Sequence, residues 1–183
     1  MEVRDTTLAG AKLIVPTVHP DSRGFFCEVY RRDLLAESGI DVDFVQGNHS
    51  RSSRGVLRGM HLQTAPGIAK LVRCARGEIL DVIVDVRRDS ETYGRWEAFR
   101  LDDRDHHQLF VPIGFAHGFC ALSEVVDVVY SQTGYYAPEL ERTIAYDDPE
   151  IAIEWPAGIE LIVSDRDAAA RTLREQADEL HFG

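Results

Sequence analysis

The stretch EILDVIVDVR at Glu78–Arg87 alternates along its whole length. Leu80, Val82, Val84 and Val86 fall on one face of an extended chain, and Ile79, Asp81, Ile83 and Asp85 on the other. A period of two belongs to a β-strand and does not fit the 3.6-residue repeat of a helix, so a half-buried strand is predicted here. Shorter runs of the same kind recur at Lys12–Thr17, Phe25–Tyr30, Phe44–Asn48, Val56–Gln63, Lys70–Ala75, Trp96–Leu101, Gln108–Val111, His117–Leu122 and Val125–Gln132, separated by Gly, Pro or Asp clusters. About ten short strands with turns at close intervals specify an all-β chain, closed into a barrel or folded as a double-sheet jelly roll. Helix is confined to a short segment at Arg32–Ser38, stopped by Gly39, and to a C-terminal helix over Asp165–Leu180 with Ser164 or Asp165 as N-cap.

With 183 residues, 44% of them hydrophobic, the chain has the size of one domain, spanning 1–183, with a substantial core. Its three cysteines, Cys27, Cys74 and Cys120, are odd in number and lack CxxC spacing, which argues against a disulfide framework and for a reducing, cytoplasmic setting. No run of about 18 apolar residues is present, so no membrane partner is expected. A formal net charge of −11 argues against nucleic acid as a partner. A small anionic ligand stays compatible, because Arg23, Arg51, Arg54, Arg58 and Arg73 gather in the first half of the chain.

One segment carries more polar chemistry than folding needs. QGNHSRSSRGVLRGMHLQTAPGIAK, from Gln46 to Lys70, sets a histidine, amides, hydroxyls, arginines and a lysine around β-like apolar residues. Lys70 shares a strand face with Val72 and Cys74, so its ammonium either reaches outward or is held in a cavity with a task. His61 shares a face with Gln63, and His117 shares one with Phe115, Phe119 and Ala121. Arg58 points away from His61 on a regular strand. If both serve one pocket, Gly59 must mark a bulge or a bend. A metal site is not expected, because the chain has no HxH pair and His106 and His107 are adjacent. GxSxG, GxGxxG and Walker-type loops are also missing.

Several segments resemble the dTDP-4-dehydrorhamnose 3,5-epimerase family: DSRGFFCE at Asp21–Glu28, QGNHSRSSRGVLRGMHLQ at Gln46–Gln63, KLVRCARGEILDVIVDVR at Lys70–Arg87, PIGFAHGF at Pro112–Phe119, YYAPELE at Tyr135–Glu141 and DDPEIAIEWP at Asp147–Pro156. They occur in family order with near-equal spacings. The resemblance implies a cupin-like double-stranded β-helix, working without metal or cofactor as a homodimer with exchanged strands. It also implies a dTDP-4-keto-6-deoxyhexose substrate inverted at carbons beside its ketone. Carried over by position, it makes His61 the general base, Asp167 the carboxylate that orients it, Tyr130 the general acid and Lys70 the group stabilising the enolate. Substrate contacts fall on Arg23, Phe26, Glu28, Gln46, Asn48, Arg58, His117, Glu141 and Arg166, with Tyr136 stacking on thymine. The chain departs from the pattern at Gly47, Gly134 and Arg166, where the family usually has two aspartates and a lysine. Relatives that invert a single centre keep much the same catalytic set, so the number of centres inverted is left open.

Overall fold

The structure, a computed structural model, describes residues 1–182. Its strands are β1 (Glu2–Asp5), β2 (Lys12–Val15), β3 (Val18–Asp21), β4 (Gly24–Cys27), β5 (Gln46–Ser52), β6 (Val56–Gln63), β7 (Lys70–Arg76), β8 (Glu78–Asp85), β9 (Trp96–Asp102), β10 (Gln108–Val111), β11 (Phe115–Ala121), β12 (Val126–Gln132), β13 (Glu141–Thr143) and β14 (Ile162–Val163). They form two facing sheets, ordered β1-β2-β10-β7-β12-β5 and β13-β6-β11-β8-β9, and β14 adds to β6 in parallel. Apart from that pairing the strand ladders among the described residues are antiparallel, and β3 with β4 forms a separate hairpin. The jelly roll expected from the alternating runs is present.

Alternation explains the core. The inward faces of the two sheets bring Val72 and Cys74, Ile79 and Ile83, Leu109 and Val111, Phe115 and Phe119, and Val128 into one apolar cluster. The expectation of a half-buried strand at Glu78–Arg87 is overturned, because Val82, Val84 and Val86 on the opposite face are also fully buried. They are covered by the C-terminal segment, through Ile144, Ile151, Leu173 and Leu180 with Trp155 and Phe182. At about 25 cal/mol per Å² of apolar surface removed from water, that cover adds stability that a bare outer face lacks. The first sheet is covered in turn by α1 (Arg32–Glu37), whose Leu35 packs with Ile40 on Ile14, Leu71 and Phe110.

The helix expected over Asp165–Leu180 is realised in pieces: α2 (Asp165–Ala168), α3 (Leu173–Gln176) and a 3-10 turn at Ala177–Glu179. The break has a local cause. Thr172 and Glu175 form a reciprocal capping box that starts α3 afresh. Just before it, the Arg171 carbonyl accepts from the Ala145 N–H (2.9 Å) and Gln176 Nε2 (2.8 Å), which docks this turn on the 144–145 segment. Ser164 caps α2, its hydroxyl accepting from the Asp167 N–H at 3.2 Å. No helix among the described residues is long and apolar enough to cross a membrane.

Candidate active site

The site is organised by a register shift in β6. Against β11, His61 stands opposite His117 but Arg58 stands opposite Phe119, so β6 spends one more residue than its partner between these pairs. The bulge demanded by the spacing of Arg58 and His61 is therefore present, at Gly59, whose φ is +145°. Only glycine suits this position, because a Cβ there would lie 2.6 Å from the Cα of Gly118. The shift lets Arg58 and His61 line one cavity of about 220 Å³ together with Ser50, Lys70, His117, Phe119, Val128 and Tyr130. A larger hollow of about 520 Å³ beside Arg87, Arg88 and His181 shows no imidazole paired with a carboxylate among its described residues, so the chemistry points to the smaller one.

His61 is backed by a carboxylate. Its Nε2 lies 2.7 Å from Asp167 Oδ1, while Asp167 Oδ2 accepts from the Gly59 N–H at 3.3 Å. Burial on its own would raise the Asp167 pKa; the hydrogen bond and charge of His61, with the Gly59 and Ser164 contacts, outweigh it and hold the acid below its ordinary value. Asp167 thus stays ionised and fixes the ring, which leaves Nδ1 as the nitrogen to take a proton.

Lys70 is buried, with its Nζ donating to the His61 carbonyl at 3.3 Å. Loss of water lowers its pKa to about 8, and the charges of Asp81 and Glu141 only partly oppose that. Tyr130, half-buried, has its pKa raised by burial and by Glu141, with Arg58 pulling the other way. His117 Nε2 lies 3.0 Å from both oxygens of the fully buried Asp81. Arg58 is steadied by Ser52, to whose Oγ its Nε donates at 3.0 Å, and by the Arg51 carbonyl at 3.2 Å.

A second group of expected residues is joined by hydrogen bonds beside this cavity. Glu141 Oε2 accepts from the Tyr136 hydroxyl (2.7 Å) and pairs with Arg166 Nη1 (2.9 Å). Burial opposes ionisation of Glu141, and Arg166 and Tyr136 overcome it, leaving its pKa lowered. The Tyr136 N–H donates to Gln46 Oε1 (2.9 Å), and Gln46 Nε2 donates to Asn48 Oδ1 (3.0 Å). Tyr136 itself is half exposed.

Arg23, Phe26 and Glu28 are not brought to this cavity within one chain. They belong to the β3–β4 hairpin and the residue after it; the Arg23 side chain is 88% exposed and pairs with Asp21, and Phe26 is 70% exposed. Phe26 and Glu28 line a separate recess with His19 and Arg31.

Sequence reading missed Asp81, Ser50, Gln132 and the supporting role of Gln63. Asp81 had a signal, a carboxylate on the face that Ile79 and Ile83 share. Gln63 Oε1 accepts from the Ala137 N–H at 2.9 Å, and Gln132 Oε1 accepts from Asn48 Nδ2 at 3.4 Å. These are contacts between distant segments that no local pattern announces. Gly47, one of the departures from the family pattern, is exposed on the opposite face of β5 from Asn48, with open space where a side chain would stand. Among the described residues, no three His, Cys, Asp or Glu side chains converge as a metal-binding group.

An imidazole backed by a carboxylate, a phenol and a desolvated ammonium on one small cavity can remove a proton beside a carbonyl, hold the enolate and return a proton. Known proteins match the chain in sequence and in backbone. The family model described as dTDP-4-dehydrorhamnose 3,5-epimerase matches residues 5–175. A dTDP-4-dehydrorhamnose 3,5-epimerase of Methanothermobacter thermautotrophicus is 48% identical over 172 residues, 93% of this chain and 93% of that protein. Among solved structures, the dTDP-6-deoxy-D-glucose-3,5-epimerase of Legionella pneumophila, in complex with dTDP-4-keto-L-rhamnose, superposes with a TM-score of 0.95 at 42% identity, covering 100% of this chain and 98% of that one. A 4-keto-6-deoxy sugar epimerase from the novobiocin biosynthetic gene cluster of Streptomyces spheroides also reaches 0.95, at 40% identity over 100% of this chain and 93% of that one. Matched along nearly its whole length in sequence and in backbone, the chain belongs to the dTDP-4-dehydrorhamnose 3,5-epimerase family.

Proposed function

We propose that this chain inverts C3 and C5 of dTDP-4-keto-6-deoxyglucose, giving dTDP-4-keto-L-rhamnose for dTDP-rhamnose synthesis. The observation that carries the proposal is the gathering of His61, backed by Asp167 at 2.7 Å, with Lys70 and Tyr130.

A carbon beside a ketone releases its proton only if the electron pair left behind is stabilised as an enolate on the ketone oxygen. His61 takes the proton, and the Asp167 carboxylate favours the imidazolium that results. Lys70 donates to the developing oxyanion at C4. Its pKa of about 8 keeps it charged at neutral pH while making it a stronger acid than an ordinary lysine. His117, held by Asp81, is a second donor within the same cavity. Tyr130 returns a proton to the opposite face, and its raised pKa keeps the phenol protonated until the enolate forms. The ketone supplies the electron sink, so the step consumes no cofactor.

Recognition of the rest of the substrate is assigned by chemistry. Arg58 offers a fork of donors to the diphosphate. Tyr136 offers a ring to thymine, with Gln46, Asn48, Glu141 and Arg166 around it. Arg23, Phe26 and Glu28 reach a site only if a second copy of the chain presents its β3–β4 hairpin, so the working form is proposed to be a homodimer that shares hairpins across its sites. The three cysteines, all free, suit the reducing cytoplasm.

The test is to incubate the protein with dTDP-4-keto-6-deoxyglucose and identify the product by NMR. The expected product is dTDP-4-keto-L-rhamnose, with turnover lost in His61→Ala by about a thousandfold. A product inverted at one carbon would make the chain a single-centre epimerase, and full turnover by His61→Ala would remove the assigned base.

A further inference from the structure

Ser50 is the one buried side-chain polar atom among the described residues that makes no hydrogen bond to the protein, and it lines the cavity of His61, Lys70 and Tyr130. Its neighbours on the same face of β5 are all engaged. Gln46 and Asn48 are joined to each other at 3.0 Å, and Ser52 accepts from Arg58 at 3.0 Å. An orphaned buried hydroxyl is disfavoured unless some partner repays it, and here the partner must arrive from the cavity. No hydrogen bond holds the side chain in its resting rotamer, so a turn about χ1 toward a bound molecule breaks none.

We propose that Ser50 binds the C2 hydroxyl of the substrate sugar; the inference rests on the epimerase function proposed above. The diphosphate and the ketone already have cationic partners in Arg58 and Lys70, whereas a short neutral hydroxyl suits another neutral hydroxyl. The keto-deoxy sugar has two hydroxyl carbons, C2 and C3, and C3 is inverted in the reaction. A side chain on a paired strand, with Ser50 opposite Val128 on β12, can keep one hydrogen bond through the whole reaction only to a carbon whose configuration does not change. C2 is that carbon. Ser50 therefore selects sugars that keep this hydroxyl and holds the ring while C3 and C5 turn over.

The test titrates three unreactive probes calorimetrically into the full chain and into Ser50→Ala: dTDP-glucose, its 2-deoxy analogue and dTDP. Wild type is expected to prefer dTDP-glucose over the 2-deoxy analogue by about tenfold. Ser50→Ala should bind the two alike, bind dTDP as wild type does, and melt no lower than wild type, since the alanine removes an unpaired polar group. Absence of the preference in wild type would overturn the proposal, and that measurement needs no variant. Its retention in Ser50→Ala, or an equal loss of dTDP affinity, would overturn it too. Because no probe reacts, a chain that failed to epimerise would sink the proposed reaction and leave these results to decide Ser50 separately.

Discussion

At the residue scale, two ionisable groups, Lys70 and Asp167, tie stability and turnover to pH. Burial lowers the folded-state pKa of Lys70 to about 8 from 10.5. Between those values the unfolded chain binds more protons than the folded one, so stability rises with pH through that window. Lys70→Met should flatten this rise, as read from urea midpoints at pH 8 and pH 10.5, and should lower turnover by about a hundredfold. Wild-type turnover should also fall as pH rises past about 8, where the enolate donor loses its proton. Asp167 has the opposite sign. Its folded pKa is lowered despite burial, so its carboxylate favours folding above the ordinary carboxylate pKa and that contribution is lost as pH falls through the folded value. Asp167→Asn removes the charge that favours the imidazolium and should cost about a hundredfold in turnover, measured by NMR, with the β-rich circular dichroism spectrum kept. Lys70 was legible in sequence as a cation on a strand face with Val72 and Cys74, and His61 through the polar density of its segment and the resemblance of its RGMH motif. The His117–Asp81 pair was not, because the contact joins residues 36 apart on neighbouring strands.

At the scale of elements, the bulge in β6 connects fold to chemistry. A glycine between an arginine and a histidine that must share a pocket announced it, and the register shift between His117 and Phe119 is its physical form. Gly59→Ala places a Cβ against the Gly118 backbone at a φ that alanine tolerates poorly. It should destabilise the fold by about 2–4 kcal/mol in denaturant unfolding, with activity lost in the fraction that still folds. The alternating runs named most strands to within a few residues, since burial of one face imposes the period. What covered their outer faces was hidden. Val82, Val84 and Val86 read as one side of a half-buried strand because the residues that bury them, from Ile144 to Leu180, lie far along the chain. The C-terminal helix was read as continuous because Thr172 and Glu175 are unremarkable inside a helix until their reciprocal cap is seen.

At the scale of the molecule, the β3–β4 hairpin is where the proposed sharing between two chains is put to the test. It sets Phe25 and Phe26, 58% and 70% exposed, and the outstretched Arg23 on a sheet apart from the barrel. Exposed aromatics grouped in this way mark a contact surface more often than a free one. If hairpins are shared across a two-fold axis, an Arg23→Ala chain and a His61→Ala chain have complementary defects. Mixed after unfolding and refolding together, they should regain about a quarter of wild-type turnover, because half the dimers are mixed and each of those has one intact site. A chain whose hairpin serves its own cavity would regain none.

The most direct measurement is turnover in deuterated water with the C3 and C5 protons of dTDP-4-keto-6-deoxyglucose followed by NMR. Both signals should be lost as His61 removes each proton and solvent deuterium replaces it, at rates that fall together in His61→Ala. Retention of both protons while the nucleotide sugar is bound would contradict it.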